Sequence, residues 1–245
     1  MLLVAGALLV AYAAAVVFWR DPITEAYTAY QQRGLRSGLA KENETWQRRA
    51  VAVRSAIVDG SEAPATTTER GGVAEVMPSP ASERAAVRRL ARDFAAEHRG
   101  HDGRPLGRLA IPKMGLRTVF VEGTDYWGSL TKGPGRYDRT SYPGLGKTVA
   151  IAGHRTTFSA PFREIDHLDP GDPITLEMPY ATFRYEVVRH KIVDNGDWSI
   201  IRETGRDTLV LSACHPLYSA AQRYVIFAKL DTITPAGQTR AVPAA

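Results

Sequence analysis

The chain contains a single cysteine, Cys214, among its 245 residues. This scarcity excludes an intramolecular disulfide. It also argues against a structural zinc site, because neither His167 nor His190 has a partner at metal-ligand spacing. We therefore expect no metal and no cofactor. A lone thiol that cannot form a disulfide is either a small buried apolar group or a reactive one.

The sequence also lacks the patterns that bind nucleotides or nucleic acids. The glycine-rich piece at 144–147 does not have the full phosphate-loop spacing. The formal net charge is +5, yet no basic cluster interleaved with aromatic residues accompanies it. We expect no nucleic-acid partner, and the positive charge suits an anionic cell envelope instead.

A long apolar run occurs at the N-terminus, where residues 2–19 carry no formal charge. About 20 apolar residues span a bilayer and roughly 17 is the lower limit. Trp19 followed by Arg20 is typical of a membrane interface. A cleaved signal peptide is the alternative, since 11–13 reads Ala-Tyr-Ala, but the apolar run continues past that point. We predict a retained membrane anchor, and no preceding basic segment sets its orientation.

The region after the anchor is predicted to be helical, although Gly34 and Gly38 should break it. Leu39, Trp46 and Ala50 recur at helical spacing and form one apolar stripe. The stretch that follows is too poor in large apolar residues to order itself. A second helix is predicted over Glu83–His98. The predicted organisation is an anchor at 1–20, a juxtamembrane helical segment at 21–60, a flexible linker at 61–81, a helix leading into the domain at 82–104, a catalytic domain at 105–232 and a tail at 233–245.

The C-terminal domain is predicted to be mostly β. Its apolar runs are short and separated by turns rich in Gly, Pro and Asp. Regularly spaced short strands with few helices are typical of a barrel or a sandwich. The predicted strands are 109–112, 118–121, 148–152, 174–178, 185–193, 209–212 and 224–230.

Three of these strands have a chemically reactive side chain at one end. His154 follows 148–152, Cys214 follows 209–212, and Arg223 precedes 224–230. Because strand side chains alternate between faces, His154 shares a face with Ala150 and Ala152, as would suit the floor of a groove. A rigid sheet can present a nucleophile to such a groove.

These residues resemble the pattern of the sortases, cysteine transpeptidases of Gram-positive cell surfaces. The order His154, Cys214, Arg223 is that of the family. The sequences Gly-His-Arg-Thr-Thr at 153–157 and Cys-His-Pro at 214–216 are most similar to class E, the housekeeping-type sortases of actinobacteria. The resemblance covers residues 106–230. One departure is that both threonines of the usual Thr-Leu-x-Thr-Cys signature are absent from Val210–Cys214.

The resemblance implies a fold and an activity. The fold is an eight-stranded sortase-type β-barrel with short helices, preceded by the transmembrane helix and a helical, flexible stalk. Cys214 would attack the Thr–Gly bond of a C-terminal LAxTG- or LPxTG-like sorting motif, giving a thioacyl enzyme. His154 would act as general acid and base, and Arg223 would hold the developing oxyanion.

The same resemblance implies partners and a location. The donors would be surface proteins that carry a C-terminal sorting signal, and the acceptor would be a peptidoglycan precursor or another amine. The enzyme would be a single-pass protein of the cell membrane, held by residues 2–19, with its catalytic domain outside the cell.

Three alternatives remain open from the sequence. His215 adjoins the cysteine, but neighbours along a strand point to opposite faces, which argues against it as the base. An L,D-transpeptidase-like wall enzyme would carry His-Gly directly before the cysteine, where this chain has Ser212 and Ala213. A non-catalytic envelope protein could use Cys214 as a structural thiol.

Overall fold

A computed structural model describes residues 1, 4–7, 10, 12, 21–59, 79–238 and 241–244. Most of the predicted anchor at 2–19, and nearly all of the predicted linker at 61–81, lie outside these residues. Among the residues that the structure describes, none of the helices combines the length and the apolar character that crossing a bilayer requires.

The described residues form one sheet of nine strands. The order across the sheet is β6-β5-β1-β2-β3-β4-β7-β8-β9, and β6 also pairs with β8. This second pairing closes the first eight strands into a barrel, so the mostly β, eight-stranded prediction is confirmed. The strands are β1 Pro105–Ile111, β2 Leu116–Glu122, β3 Gly135–Arg136, β4 Val149–Gly153, β5 Pro173–Met178, β6 Ala181–Asp194, β7 Thr208–His215, β8 Gln222–Pro235 and β9 Val242–Pro243.

The strands β4 and β7 are covered on both faces. They run parallel, and β7 is buried at every position from Leu209 to Ala213. One face packs into the barrel interior, and the other joins a separate outer cluster through Ala150 and Val210. Parallel strands that are buried on both faces have nearly continuous apolar sequences. For this reason both strands can be predicted from the sequence.

Two helices pack against the barrel and against each other. Helix α1 spans Pro22–Asp59 and α2 spans Pro80–His98. The side chain of Ser79 accepts a hydrogen bond from the Ser82 backbone N–H, and a proline follows the cap, so α2 begins slightly before the predicted start. The Trp46 ring of α1 meets the Phe94 ring of α2 edge-on, 5.1 Å between centroids. The apolar stripe predicted on α1 is therefore a buried interface.

Helix α1 is continuous through Gly34 and Gly38, so the predicted break there is wrong. A Cβ on residue 38 would lie 3.4 Å from the Pro105 side chain, so α1 passes very close to β1 at this point. Packing against the barrel compensates for the roughly 1 kcal/mol that a glycine costs inside a helix. The packing of α1 against the barrel therefore outweighs the low helix propensity of its glycines.

Candidate active site

The ends of β4, β7 and β8 meet at one edge of the barrel. In the parallel β4–β7 pair, Gly153 lies opposite Ala213. Continuing this register by one residue brings His154 beside Cys214. In the antiparallel β7–β8 pair, Cys214 lies opposite Arg223. The structure thus brings together the three residues that the sequence singles out.

A second, smaller apolar cluster packs on the outer face of these strands. It consists of the buried residues Ala150, Val193, Ile200, Val210 and Val225. Tyr137 packs on the cluster, and its hydroxyl is 2.8 Å from the Ser212 hydroxyl oxygen. Trp198, 60% exposed, meets the Tyr137 ring edge-on at 6.3 Å. The predicted face of small residues therefore lies on the outer side of the sheet, the side to which Cys214 also belongs.

The sequence did not identify Tyr137 or Trp198. Tyr137 follows β3, a two-residue strand with no readable alternation. Trp198 begins a four-residue helical turn between β6 and β7. The sequence shows only that both are aromatic residues in turn segments. It does not show that the two lie beside each other.

His154 is enclosed by aromatic rings. Its ring lies 5.1 Å from that of Phe158 and 5.8 Å from that of Tyr126, between centroids. Its Nε2 is buried without a hydrogen-bond partner among the described residues. Desolvation lowers the pKa of His154 to about 4. The imidazole is therefore neutral at physiological pH and able to accept a proton.

Cys214 and Arg223 differ in how tightly they are held. Cys214 is an unpaired, half-buried thiol. The Arg223 Nη1 donates to the carbonyl oxygens of Ala220 at 3.0 Å and Gln222 at 2.9 Å, which fixes the guanidinium at the start of β8. Within the described part of the chain, no hydrogen bond joins Cys214 to His154. Such loose geometry is common before substrate binds.

The loop that follows His154 has an unusual backbone. Phe158, Ser159 and Ala160 have φ of 50°, 62° and 42°. These left-handed conformations are costly for residues other than glycine, about 1–3 kcal/mol each, and persist only where surrounding contacts hold them. Thr24 of α1 provides one such contact, because its Oγ1 accepts the Phe158 N–H at 2.9 Å. Helix α1 thus supports the loop whose aromatic ring covers His154.

A second histidine, His215, lies on the other face of the sheet at this edge of the barrel. Its ring is tilted against Tyr224, 5.7 Å between centroids, and its Nδ1 is 3.3 Å from Nη1 of Arg155. Tyr224 belongs to the barrel core. This position is on the face opposite Cys214, as strand alternation predicts, and it argues against His215 as the base.

Comparison with known proteins identifies a family. The family model described as the Sortase domain matches residues 109–231. Sortase D of Bacillus subtilis (strain 168) is 37% identical over 141 residues, which cover 56% of this chain and 69% of that protein. Sortase SrtE1 of Streptomyces coelicolor is 26% identical over 143 residues, or 52% of this chain and 41% of that protein.

Solved structures share the fold. Sortase E1 from Streptomyces coelicolor, determined with a tripeptide in its active site, superposes with a TM-score of 0.53 at 24% identity, covering 56% of this chain and 94% of that one. Sortase C-3 from Streptococcus pneumoniae superposes with a TM-score of 0.55 at 19% identity and covers 85% of this chain and 94% of that one. The second match is longer than the barrel, so the shared architecture includes helical segments.

The relatives carry the names of several sortase classes, so the class E resemblance stays a prediction while the family expectation is confirmed. The matched region contains all three residues at the barrel edge. The chain belongs to the sortase family of transpeptidases.

Proposed function

We propose that this protein is a cell-surface cysteine transpeptidase with Cys214 as nucleophile, His154 as general acid and base, and Arg223 as the oxyanion ligand. The observation that carries the proposal is the strand register. It pairs Gly153 with Ala213, directly before His154 and Cys214, and it pairs Cys214 with Arg223.

The first half-reaction forms a thioester. The Cys214 sulfur attacks the threonine carbonyl of the sorting motif while His154 accepts the thiol proton. The tetrahedral oxyanion is stabilised by N–H donors of Arg223. Collapse breaks the Thr–Gly bond, and the proton on His154 passes to the departing glycine amine. Desolvation keeps the resting His154 ring neutral, which is the form that accepts the thiol proton.

The second half-reaction transfers the acyl group. A primary amine attacks the thioester, His154 removes its proton, and the thiolate leaves and is reprotonated. The enclosure of His154 by Phe158 and Tyr126 limits access of water to this region. Exclusion of water favours an amine acceptor over hydrolysis.

The outer face of β4, β7 and β8 would serve as the groove for an extended peptide that ends at Cys214. The underlying cluster is apolar, and the aromatic rings of Tyr137 and Trp198 would form a wall along one side. An extended chain advances about 3.3 Å per residue, so four or five motif residues would span roughly 15 Å of this surface. The resemblance to class E favours an LAxTG-type motif over LPxTG.

The proposed location follows from the N-terminal sequence. The uncharged run at 2–19 would anchor the chain, placing the barrel outside the cell beside a peptidoglycan precursor or other amine acceptor. Donor proteins would carry the sorting motif at their C-termini. The net charge of +5 suits an anionic envelope.

The two other functions considered from the sequence are less well supported. An L,D-transpeptidase-like enzyme conflicts with membership of the sortase family. A purely structural thiol conflicts with the position of Cys214, which is half-buried at the groove end instead of packed in the core.

The proposal is tested with the full-length protein in detergent. The protein is incubated with LAxTG and LPxTG peptides plus hydroxylamine, and the products are separated by mass spectrometry. A threonine hydroxamate and a released glycine-terminated fragment are expected with wild type and not with Cys214→Ala. Equal product from both proteins would contradict the assignment of the nucleophile.

A further inference from the structure

Arg155 is a cation with a 2% exposed side chain, positioned directly after His154. Its Nη2 lies 2.6 Å from Oδ2 of Asp166, and its Nε donates to the Arg163 carbonyl oxygen at 3.2 Å. The Asp166 carboxylate balances the buried charge. The third contact, from Nη1 to Nδ1 of His215 at 3.3 Å, is not needed for charge balance.

This third contact reaches the residue that follows the cysteine. Gly153 and Ala213 form the last paired positions of the β4–β7 ladder. The next position along the two chains is His154 with Cys214, and the one after it is Arg155 with His215. The proposed catalytic pair therefore lies between a backbone pairing on one side and the Arg155–His215 contact on the other.

The chemistry of the two side chains decides which one donates the hydrogen bond. A guanidinium can only donate hydrogen bonds, so Nδ1 of His215 must accept and the ring proton resides on Nε2. His215 is the acceptor in this contact, and its ring also rests against Tyr224. The contact joins two chain segments that the strand ladder no longer joins.

We propose that Arg155 is a positioning residue that holds Cys214 beside His154 by binding His215. The inference rests on the proposed function, since it assigns a role around the same catalytic pair. Among the described residues, no hydrogen bond or ion pair joins Arg155 or His215 to the side chains of Cys214 or His154. Small displacements of a nucleophile from its base are costly, about 10²-fold for roughly 1 Å, so such a link affects the rate of acylation more than peptide binding.

The test uses two substitutions at His215, which is half-exposed. His215→Asn keeps an acceptor near the position of Nδ1, and His215→Leu removes it. For full-length protein, we expect kcat for peptide cleavage to fall about tenfold or more in His215→Leu with KM within about twofold. His215→Asn should stay within about threefold of wild type. Arg155→Met should match His215→Leu, and the double variant should be no slower than either single one.

A second readout does not depend on the peptide. Cys214 is the only cysteine, so its alkylation by iodoacetamide can be followed without ambiguity. We expect its alkylation rate at pH 7 to differ from the wild-type rate in His215→Leu and to return to it in His215→Asn, because moving the thiol changes its surroundings and its access to the reagent. If wild type cleaves no peptide, the proposed function fails while this readout still tests the link.

Several outcomes would overturn the inference. One is a His215→Leu variant with wild-type kcat and wild-type alkylation. Another is a His215→Asn variant as impaired as His215→Leu in both measurements. Thermal midpoints are measured for every variant, and a loss of activity that follows a loss of stability in both His215 variants would indicate a purely structural role.

Discussion

Cys214 and Arg223 lie directly opposite each other across the antiparallel β7–β8 ladder. Residues so paired have Cβ atoms about 4.5–5.5 Å apart and project to the same face of the sheet. The thiol and the guanidinium therefore reach the same end of the groove without help from a flexible loop. A fixed geometry of this kind is what stabilisation of a developing charge requires.

Substitution Arg223→Lys is expected to abolish most activity. Lysine keeps the charge but not the planar fork of donors, and losing one oxyanion donor costs about 3 kcal/mol, or roughly 10²-fold in kcat. Steady-state kinetics with the preferred peptide measure the change. Arg184→Lys is the matched control, because Arg184 lies near the start of β6 beside Asp231, far from Cys214. Near-normal turnover in Arg223→Lys would refute the role of the fork.

Protonation of His154 should destabilise the fold in acid. Its pKa is about 4 in the folded state and about 6.5 when unfolded. Between these values the unfolded chain binds more protons, so stability falls as pH falls through this window and is unaffected above it. The free energy of unfolding is expected to be lower by about 2 kcal/mol at pH 5, and by about 3 kcal/mol once the pH is well below 4.

The measurement compares urea unfolding of wild type and His154→Asn at pH 7.5 and pH 5. The variant lacks the titrating group, so it should lose about 2 kcal/mol less stability than wild type over this interval. All other titrating groups are common to both proteins and cancel in the comparison. Equal losses in the two proteins would show that His154 is not desolvated.

Trp198→Ala should weaken peptide binding. The indole is 60% exposed beside Tyr137 at the wall of the groove, away from the proposed reacting atoms. We expect KM to rise roughly fivefold with kcat little changed, since a lost aromatic contact costs about 1 kcal/mol. Tyr30→Ala is the control, because Tyr30 is 72% exposed on helix α1. A selective fall in kcat would place Trp198 in the chemistry instead.

The buried ion pair between Glu122 and Arg136 should be critical for stability. Both side chains are fully buried, and they are paired across the β2–β3 ladder. Tyr142 also donates to Glu122 at 2.8 Å. Glu122→Gln leaves a buried cation without its counter-charge, and we expect a loss of about 3–5 kcal/mol in the free energy of unfolding.

Urea denaturation measures this loss, with Glu186→Gln as control because the Glu186 side chain is half-exposed and pairs with Lys229 at 3.4 Å on the surface of the sheet. The control should change stability by less than about 1 kcal/mol. Since Arg136 directly precedes Tyr137, we also expect the groove wall to loosen in Glu122→Gln. A stability equal to that of the control would contradict the importance of the pair.

Local pattern was sufficient to predict much of the barrel and to select the candidate residues. Each predicted strand overlaps an observed one, because apolar alternation and turn residues mark strands longer than about four residues. The two-residue strands β3 and β9 carry no such pattern. These two strands form because they pair with strands that are distant in the sequence. A local sequence pattern cannot predict such pairing.

The same limit explains what was missed around the site. Arg155 adjoins His154 in sequence, yet its link to His215 depends on the register of β4 with β7. The support that Thr24 gives to Phe158 joins residues 134 positions apart. Helix α1 was predicted to break at Gly34 and Gly38, but its packing against the barrel keeps it continuous. Long-range packing decides these features.

The most direct measurement of the central claim is the mass of the acyl-enzyme. Full-length wild type and His154→Asn are mixed with an excess of sorting-motif peptide, quenched in acid and digested. We expect an adduct equal to the peptide up to threonine on the fragment that contains Cys214, in wild type only, and its loss on adding an amine. Turnover of the peptide with no adduct on Cys214, or an adduct on another residue, would contradict the account.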